Sequence, residues 1–191
     1  MKLNIPFLSQ NDLTIPSEWV ERSCAIVSLK MCMDVYAAKN GLTIPSLPDL
    51  LKEALFMKGG SRSPTVGWKH DSLIWLAHNH GVPAYREEFR SDHIDLETGN
   101  NTPSEFSKRI FNEGIKRIRY GITQGVPVMV SFLPGFGSKA NSHLIVVTGF
   151  EDGDKKGFYI NDPSPISPKE NVFVPEEEVI KYWRKFALFV G

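Results

Sequence analysis

Apolar residues recur at helical spacing just after Ser23, where Ile26, Leu29, Met33 and Tyr36 fall three or four positions apart. Ser23 is a residue type that caps helix N-termini, and Asn40-Gly41 is a stop signal. The pattern predicts a helix over about residues 24–39 with one apolar face. Residues 1–23 lack such a period and read as an irregular arm, with a short strand over Leu3–Leu8 interrupted by Pro6.

Pro45, Pro48 and Lys58-Gly59-Gly60-Ser61 bracket a second predicted helix, Leu47–Met57. A third fits His70–His80, with Leu73, Leu76 and Ala77 inside and Gly81 as its end. Val82-Pro83-Ala84-Tyr85 reads as a short strand or connector, and residues 91–102 as a polar surface loop. Glu105–Arg119 has helical spacing that assigns Phe106, Ile110, Ile115 and Ile118 to a buried face. Beyond Arg119 the period changes. Val126–Leu133, Leu144–Phe150, Gly157–Asn161, Val172–Val174 and Phe186–Val190 are short runs rich in β-branched and aromatic residues. Helices first and strands later predict an α+β fold. The chain reads as one domain over residues 1–191, with a helical half of about 1–120 and a sheet half of about 121–191.

Composition narrows the function classes. At 191 residues, 41% hydrophobic and 23% charged, the chain has the make-up of an ordinary globular domain. Its 22 basic and 22 acidic residues balance, so no net field draws it to nucleic acid or anionic lipid. Lys116, Arg117 and Arg119 form one short basic cluster that reads as a solvated helix face. The N-terminus shows no apolar signal region, and no run reaches the ~20 residues that cross a bilayer. The expected location is cytoplasmic, with no membrane span.

Cys24 and Cys32 lie eight residues apart in the first helix, ~12 Å along its axis, too far for a disulfide. Cys24 stands at that helix's start, where free N–H groups and the helix dipole favour a thiolate. Cys32 lies two turns deeper and reads as core. His143 opens the run Leu144–Phe150, at a strand mouth. Asp152-Gly153 between two strands is a hairpin signal. A two-residue loop pairs Glu151 with Asp154 and places Asp162 opposite His143 on one face, Cβ atoms ~5 Å apart. A carboxylate there can hold the imidazole's tautomer and stabilise its charged form. A loop of three or five residues turns the face over and presents Asn161 instead, which is also competent as an orienting group. An oxyanion needs two donors. The backbone N–H of Cys24 is one candidate and the side-chain amide of Gln10 the other.

Several of these segments together resemble one family. Leu3-Asn4-Ile5-Pro6-Phe7-Leu8-Ser9-Gln10 is similar to the opening of the bacteriocin-processing peptidases, family thirty-nine of the cysteine peptidases in the papain-like clan. The likeness is to its stand-alone branch. Ser23-Cys24-Ala25-Ile26-Val27-Ser28-Leu29-Lys30-Met31 resembles its nucleophile helix, although Ala25-Ile26 replace the family's usual small pair. Gly125-Val126-Pro127-Val128, Ser142-His143-Leu144-Ile145-Val146-Val147-Thr148-Gly149-Phe150 and Ile160-Asn161-Asp162-Pro163 resemble its three characteristic strands. The resemblance implies a papain-like fold, with a helical half packed on an antiparallel sheet. It assigns Cys24 as nucleophile, His143 as base, Asp162 as orienter and Gln10 as oxyanion donor. It also implies a peptide or protein substrate and no cofactor.

Other signals carry less. His78 and His80 point ~200° apart on a helix and do not share a metal. No Cys-x-x-Cys, His-Glu-x-x-His or phosphate-loop spacing occurs. Pro134-Gly135-Phe136-Gly137-Ser138 reads as a rim before His143, and Trp68, Trp75 and Trp183 as core or cleft wall. The same triad would also serve an acyltransferase or transglutaminase-like enzyme, and a silent domain could keep the fold alone.

Overall fold

The computed structural model describes residues 1–57, 68–90, 105–133 and 143–191. The expected loop at 91–102, the Lys58–Ser61 breaker and the rim at 134–138 lie outside them. A 3₁₀ turn, Ser17–Arg22, leads into α1, Cys24–Asn40. Helices α2 (Leu47–Phe56) and α3 (His70–Asn79) follow, then strand β1 (Ala84–Glu88) and α4 (Glu105–Thr123). The C-terminal part carries β2 (Val128–Phe132), β3 (His143–Glu151), β4 (Gly157–Asp162), β5 (Lys169–Pro175), α5 (Glu176–Tyr182) and β6 (Trp183–Val190). Six strands form one antiparallel sheet in the order β1-β6-β2-β3-β4-β5.

The sheet separates two apolar cores. One holds α1, α2 and α3 against Met129, Leu144, Val146, Leu188 and Val190. The other holds Ile115, Ile118 and Ile122 of α4 and Val179 of α5 against Val128, Val130, Ile145, Val147 and Phe189. Alternate residues of β2 and β3 thus enter opposite cores, and all five residues of β2 are buried. A sheet covered on both faces reads as continuous apolar runs, which is the pattern the sequence shows over 126–133 and 144–150. Covering both faces needs helices on each side, and α4 and α5 supply the second layer.

Several expectations need correction. Helix α1 has no single apolar face: Ala25, Ile26, Val27, Leu29, Met31, Cys32, Met33 and Val35 are all buried around its circumference. A helix apolar all round is a core helix. Ser23 precedes α1 without capping it; its hydroxyl donates to Val20 O at 3.3 Å instead. The stop is as predicted, because Gly41 takes φ 65° and donates its N–H to Ala37 O. The arm forms only an isolated bridge, Lys2 to Gly149, in place of a strand over Leu3–Leu8. Helix α4 runs four residues further than expected, and its N-terminal Phe106 and Ile110 are exposed rather than buried. Trp75 is also exposed, whereas Trp68 and Trp183 are buried. The basic cluster on α4 is paired rather than merely solvated: Arg117 meets Glu87 at 2.9 Å, and Arg119 meets Asp152 at 3.0 Å and also Glu176.

Gly114 shows how closely α4 approaches the sheet. A Cβ there would lie 2.6 Å from both Phe89 and Trp183, two buried rings that pack on each other at 5.8 Å. Gly114→Ala gains about 1 kcal/mol of helix propensity. Overpacking against two rigid rings costs about 1–3 kcal/mol. The expected net result is a less stable protein, read as a lower denaturation midpoint at unchanged slope. A variant more stable than the parent would show that α4 has room to move.

Candidate active site

Cys24 is the first residue of α1 and is half-buried. Its burial raises the thiol's pKa. Against that act a hydrogen bond and positive charge from His143 and the backbone N–H groups of Leu144 and Ala25. The opposing group prevails, and the thiol sits below its ordinary value. The Ala25 N–H belongs to the first turn, where backbone donors have no intrahelical partner. Cys32 is wholly buried, and burial together with the Asp34 charge pushes its thiol up. Both cysteines are free.

His143 is the first residue of β3, paired with Phe132 and 2% exposed. Its Nε2 lies 2.5 Å from Asp162 Oδ1. Burial alone would lower the imidazole's pKa. Hydrogen bonds to Asp162 and to Cys24 outweigh it and push the ring up to about 10. With Nε2 committed to the carboxylate, Nδ1 is the nitrogen left for the sulfur. Asp162 ends β4 and is fully buried; its Oδ1 also accepts the Ser164 N–H at 2.9 Å. That side-chain-to-backbone bond two residues on is an Asx turn. Neither Ser164 nor the Leu144 N–H was expected at the site. Asp-x-Ser at 162–164 is the signal that shows the first. The second has none, because any residue at 144 supplies that N–H.

The pairing of His143 with Asp162 arises by a different route from the one expected. Glu151 pairs with Gly157, not Asp154, so the loop is five residues long. That length alone would turn the face over and present Asn161. The register then shifts again between Val147 and Gly149, where Thr148 is an extra residue on β3. A bulge inverts the alternation of faces. Asp162 is thereby returned to the side of His143, one pair diagonal to it. Asn161 points elsewhere: its Nδ2 donates to Ile5 O at 3.4 Å and its Oδ1 accepts the Asn171 N–H at 2.9 Å.

Gln10 is buried, and its described hydrogen bonds bridge the two halves without touching the sulfur or the ring. Its Nε2 donates to Val20 O at 2.5 Å, and its backbone N–H donates to Pro163 O at 2.8 Å. It therefore ties the turn before Cys24 to the residue after Asp162. Among the described residues nothing accepts its second amide N–H. Trp68, whose Nε1 donates to Arg22 O at 2.8 Å, steadies the same turn. His80 pairs with Glu53 and His78 with Ala84 O. Among the described residues no group of three or more His, Cys, Asp or Glu side chains is placed to hold a metal ion. No helix among them is long and apolar enough to cross a membrane.

A thiol at a helix start, facing an imidazole on an antiparallel sheet, defines the architecture of the papain-like cysteine peptidases. Within that class the chain belongs to the Peptidase_C39 like family, whose family model matches residues 2–187. Three solved structures share the fold. A C39-like peptidase from Bacillus anthracis is 20% identical, with a TM-score of 0.61 over 100% of this chain and 98% of that one. A double-glycine motif protease from an AMS/PCAT transporter, in complex with the leader peptide, is 19% identical, with a TM-score of 0.56 over 99% and 92%. The peptidase domain of Streptococcus ComA, a bifunctional ABC transporter of a quorum-sensing pathway, is 16% identical, with a TM-score of 0.55 over 98% of both. No curated protein matches the chain.

Proposed function

We propose that this protein, working as one domain over residues 1–191, is a cysteine peptidase that hydrolyses peptide or isopeptide bonds through Cys24, His143 and Asp162. The observation that carries the reading is the buried His143, hydrogen-bonded to Asp162 at 2.5 Å, whose ring is close enough to Cys24 to lower the thiol's pKa. The resting pair is a thiolate and an imidazolium. The thiolate attacks the scissile carbonyl carbon, and negative charge moves to the carbonyl oxygen. The Cys24 N–H and the uncommitted N–H of Gln10 receive that oxyanion. As the C–N bond breaks, His143 gives its proton to the departing amine and an acyl-enzyme forms. His143 then takes a proton from water, the hydroxide attacks the thioester, and the acid product leaves with Cys24 restored. A relative binds a leader peptide, which supports an extended peptide segment as substrate.

Iodoacetamide labelling across pH tests this. Cys24 is expected to react about a hundredfold or more faster than Cys32 below pH 7, because the Cys24 thiol is lowered and the Cys32 thiol raised. Sluggish, equal labelling of the two thiols would support a silent domain. Adding an amine to a trapped acyl-enzyme separates hydrolysis from acyl transfer by whether the amine is incorporated.

A further inference from the structure

Strand β4 runs between two register shifts, and their extra residues are joined. On one side Thr148 is the surplus residue of β3, between the pairs Val147–Ile160 and Gly149–Tyr159. On the other, the register with β5 shifts between Ile160–Val172 and Asp162–Lys169, and Asn171 in that bulge takes φ 51°. Thr148 Oγ1 donates to Asn171 Oδ1 at 3.0 Å. The Asn171 N–H donates to Asn161 Oδ1 at 2.9 Å. Thr148 and Asn161 are fully buried.

The arm closes the arrangement. Leu3 N–H donates to Thr148 O at 2.7 Å, and Asn161 Nδ2 reaches Ile5 O. Gly149 allows this, because a Cβ there would lie 2.5 Å from Met1 O. The bulge at Thr148 is therefore held by a side chain on one edge and by the arm's backbone on the other. Asp162 is the residue after Asn161, and neighbours on a strand point to opposite faces. Holding Asn161 toward the arm holds Asp162 toward His143.

We propose that Thr148 and Asn161 are positioning residues for the catalytic aspartate: linked through Asn171, they pin the Thr148 bulge that selects Asp162, rather than Asn161, as the partner of His143. The inference rests on the triad reading above. It assigns a function in the reaction to two residues that touch neither the thiol nor the imidazole. Each bulge leaves a residue unpaired in an otherwise regular ladder, and these part-buried hydrogen bonds fix the extra residues in place.

The test uses Thr148→Val, which keeps the shape and removes the hydroxyl, with Thr148→Ser as the restoring variant and Asn161→Leu as a second break. Two quantities are read: the rate of Cys24 alkylation by iodoacetamide at pH 6, and the far-downfield proton resonance of the His143–Asp162 hydrogen bond. Asp162→Ala is the reference and removes the resonance. Thr148→Val is expected to shift or broaden the resonance and slow alkylation about tenfold or more, as a misplacement of about 1 Å at a reacting group does. Thr148→Ser restores both. Unaltered resonance and rate in Thr148→Val and in folded Asn161→Leu overturn the proposal, as does a lowered melting temperature with the resonance unmoved. A resonance and rate untouched by Asp162→Ala would instead overturn the triad reading itself.

Discussion

Replacing His143 with alanine should reduce turnover of any peptide that the wild-type protein cleaves by about 10⁴-fold or more, with little change in folded yield. Losses of that order follow when a member of a nucleophile–base pair is removed. The reason lies in the balance at Cys24. Burial raises the thiol's pKa, and what opposes it most strongly is the hydrogen bond from His143, followed by the charge of that ring. Without the imidazole, burial wins against two backbone N–H groups alone, and thiolate forms only at alkaline pH. The wild-type pH profile follows from the same pair. The thiol's pKa is lowered and the imidazole's is raised to about 10, so the ion pair exists between those limits. Activity should rise as pH climbs through the lowered thiol value and fall as pH passes through about 10. His143→Ala should lose that plateau in iodoacetamide labelling. A variant with an unchanged labelling profile would remove His143 from the mechanism.

Replacing Asp162 with alanine should cost about 10²–10⁴-fold in kcat/KM, the range seen when an orienting carboxylate is lost. His143 is 2% exposed, so its ring has no solvent to turn to for a substitute partner. Burial lowers its pKa, and the hydrogen bond to Asp162 counters burial more strongly than any other contact of the ring. Loss of the carboxylate therefore brings the alkaline limb of the profile down from about 10. The sign is that of a group favoured in its charged form by the fold: its stabilising interaction is complete below the unfolded imidazole value and disappears as pH rises through the folded one. Asp162→Asn should retain more activity than Asp162→Ala, because an amide oxygen still accepts from Nε2 while lacking the charge. Equal kcat/KM for Asp162→Ala and the parent would sink the assignment.

The basic cluster illustrates a limit of local pattern. From spacing alone Lys116, Arg117 and Arg119 look solvated. Only the fold brings the β3–β4 loop and α5 to Arg119, whose side chain is 19% exposed against Asp152 and Glu176. Helix α5, Glu176–Tyr182, and the 3₁₀ turn before Cys24 also escaped the pattern, because both are short and one or two turns show no period. Phe106 and Ile110 fit the apolar period of α4 but are exposed.

By itself the chain determined what depends on near neighbours: a helix beginning at Cys24 and ending at Gly41, apolar strands after residue 125, and a histidine at the mouth of one of them. These follow from periods and stop signals that act over a few residues. It did not determine whether Asp162 or Asn161 meets the imidazole. A strand's faces alternate with every residue, so one uncounted position reverses the answer. Two such positions occur here, an odd-length loop and the Thr148 bulge, and they cancel. The bulge sits beside the N-terminal arm, about 145 residues away in sequence, which lies against Gly149, and no local pattern encodes an approach across that distance.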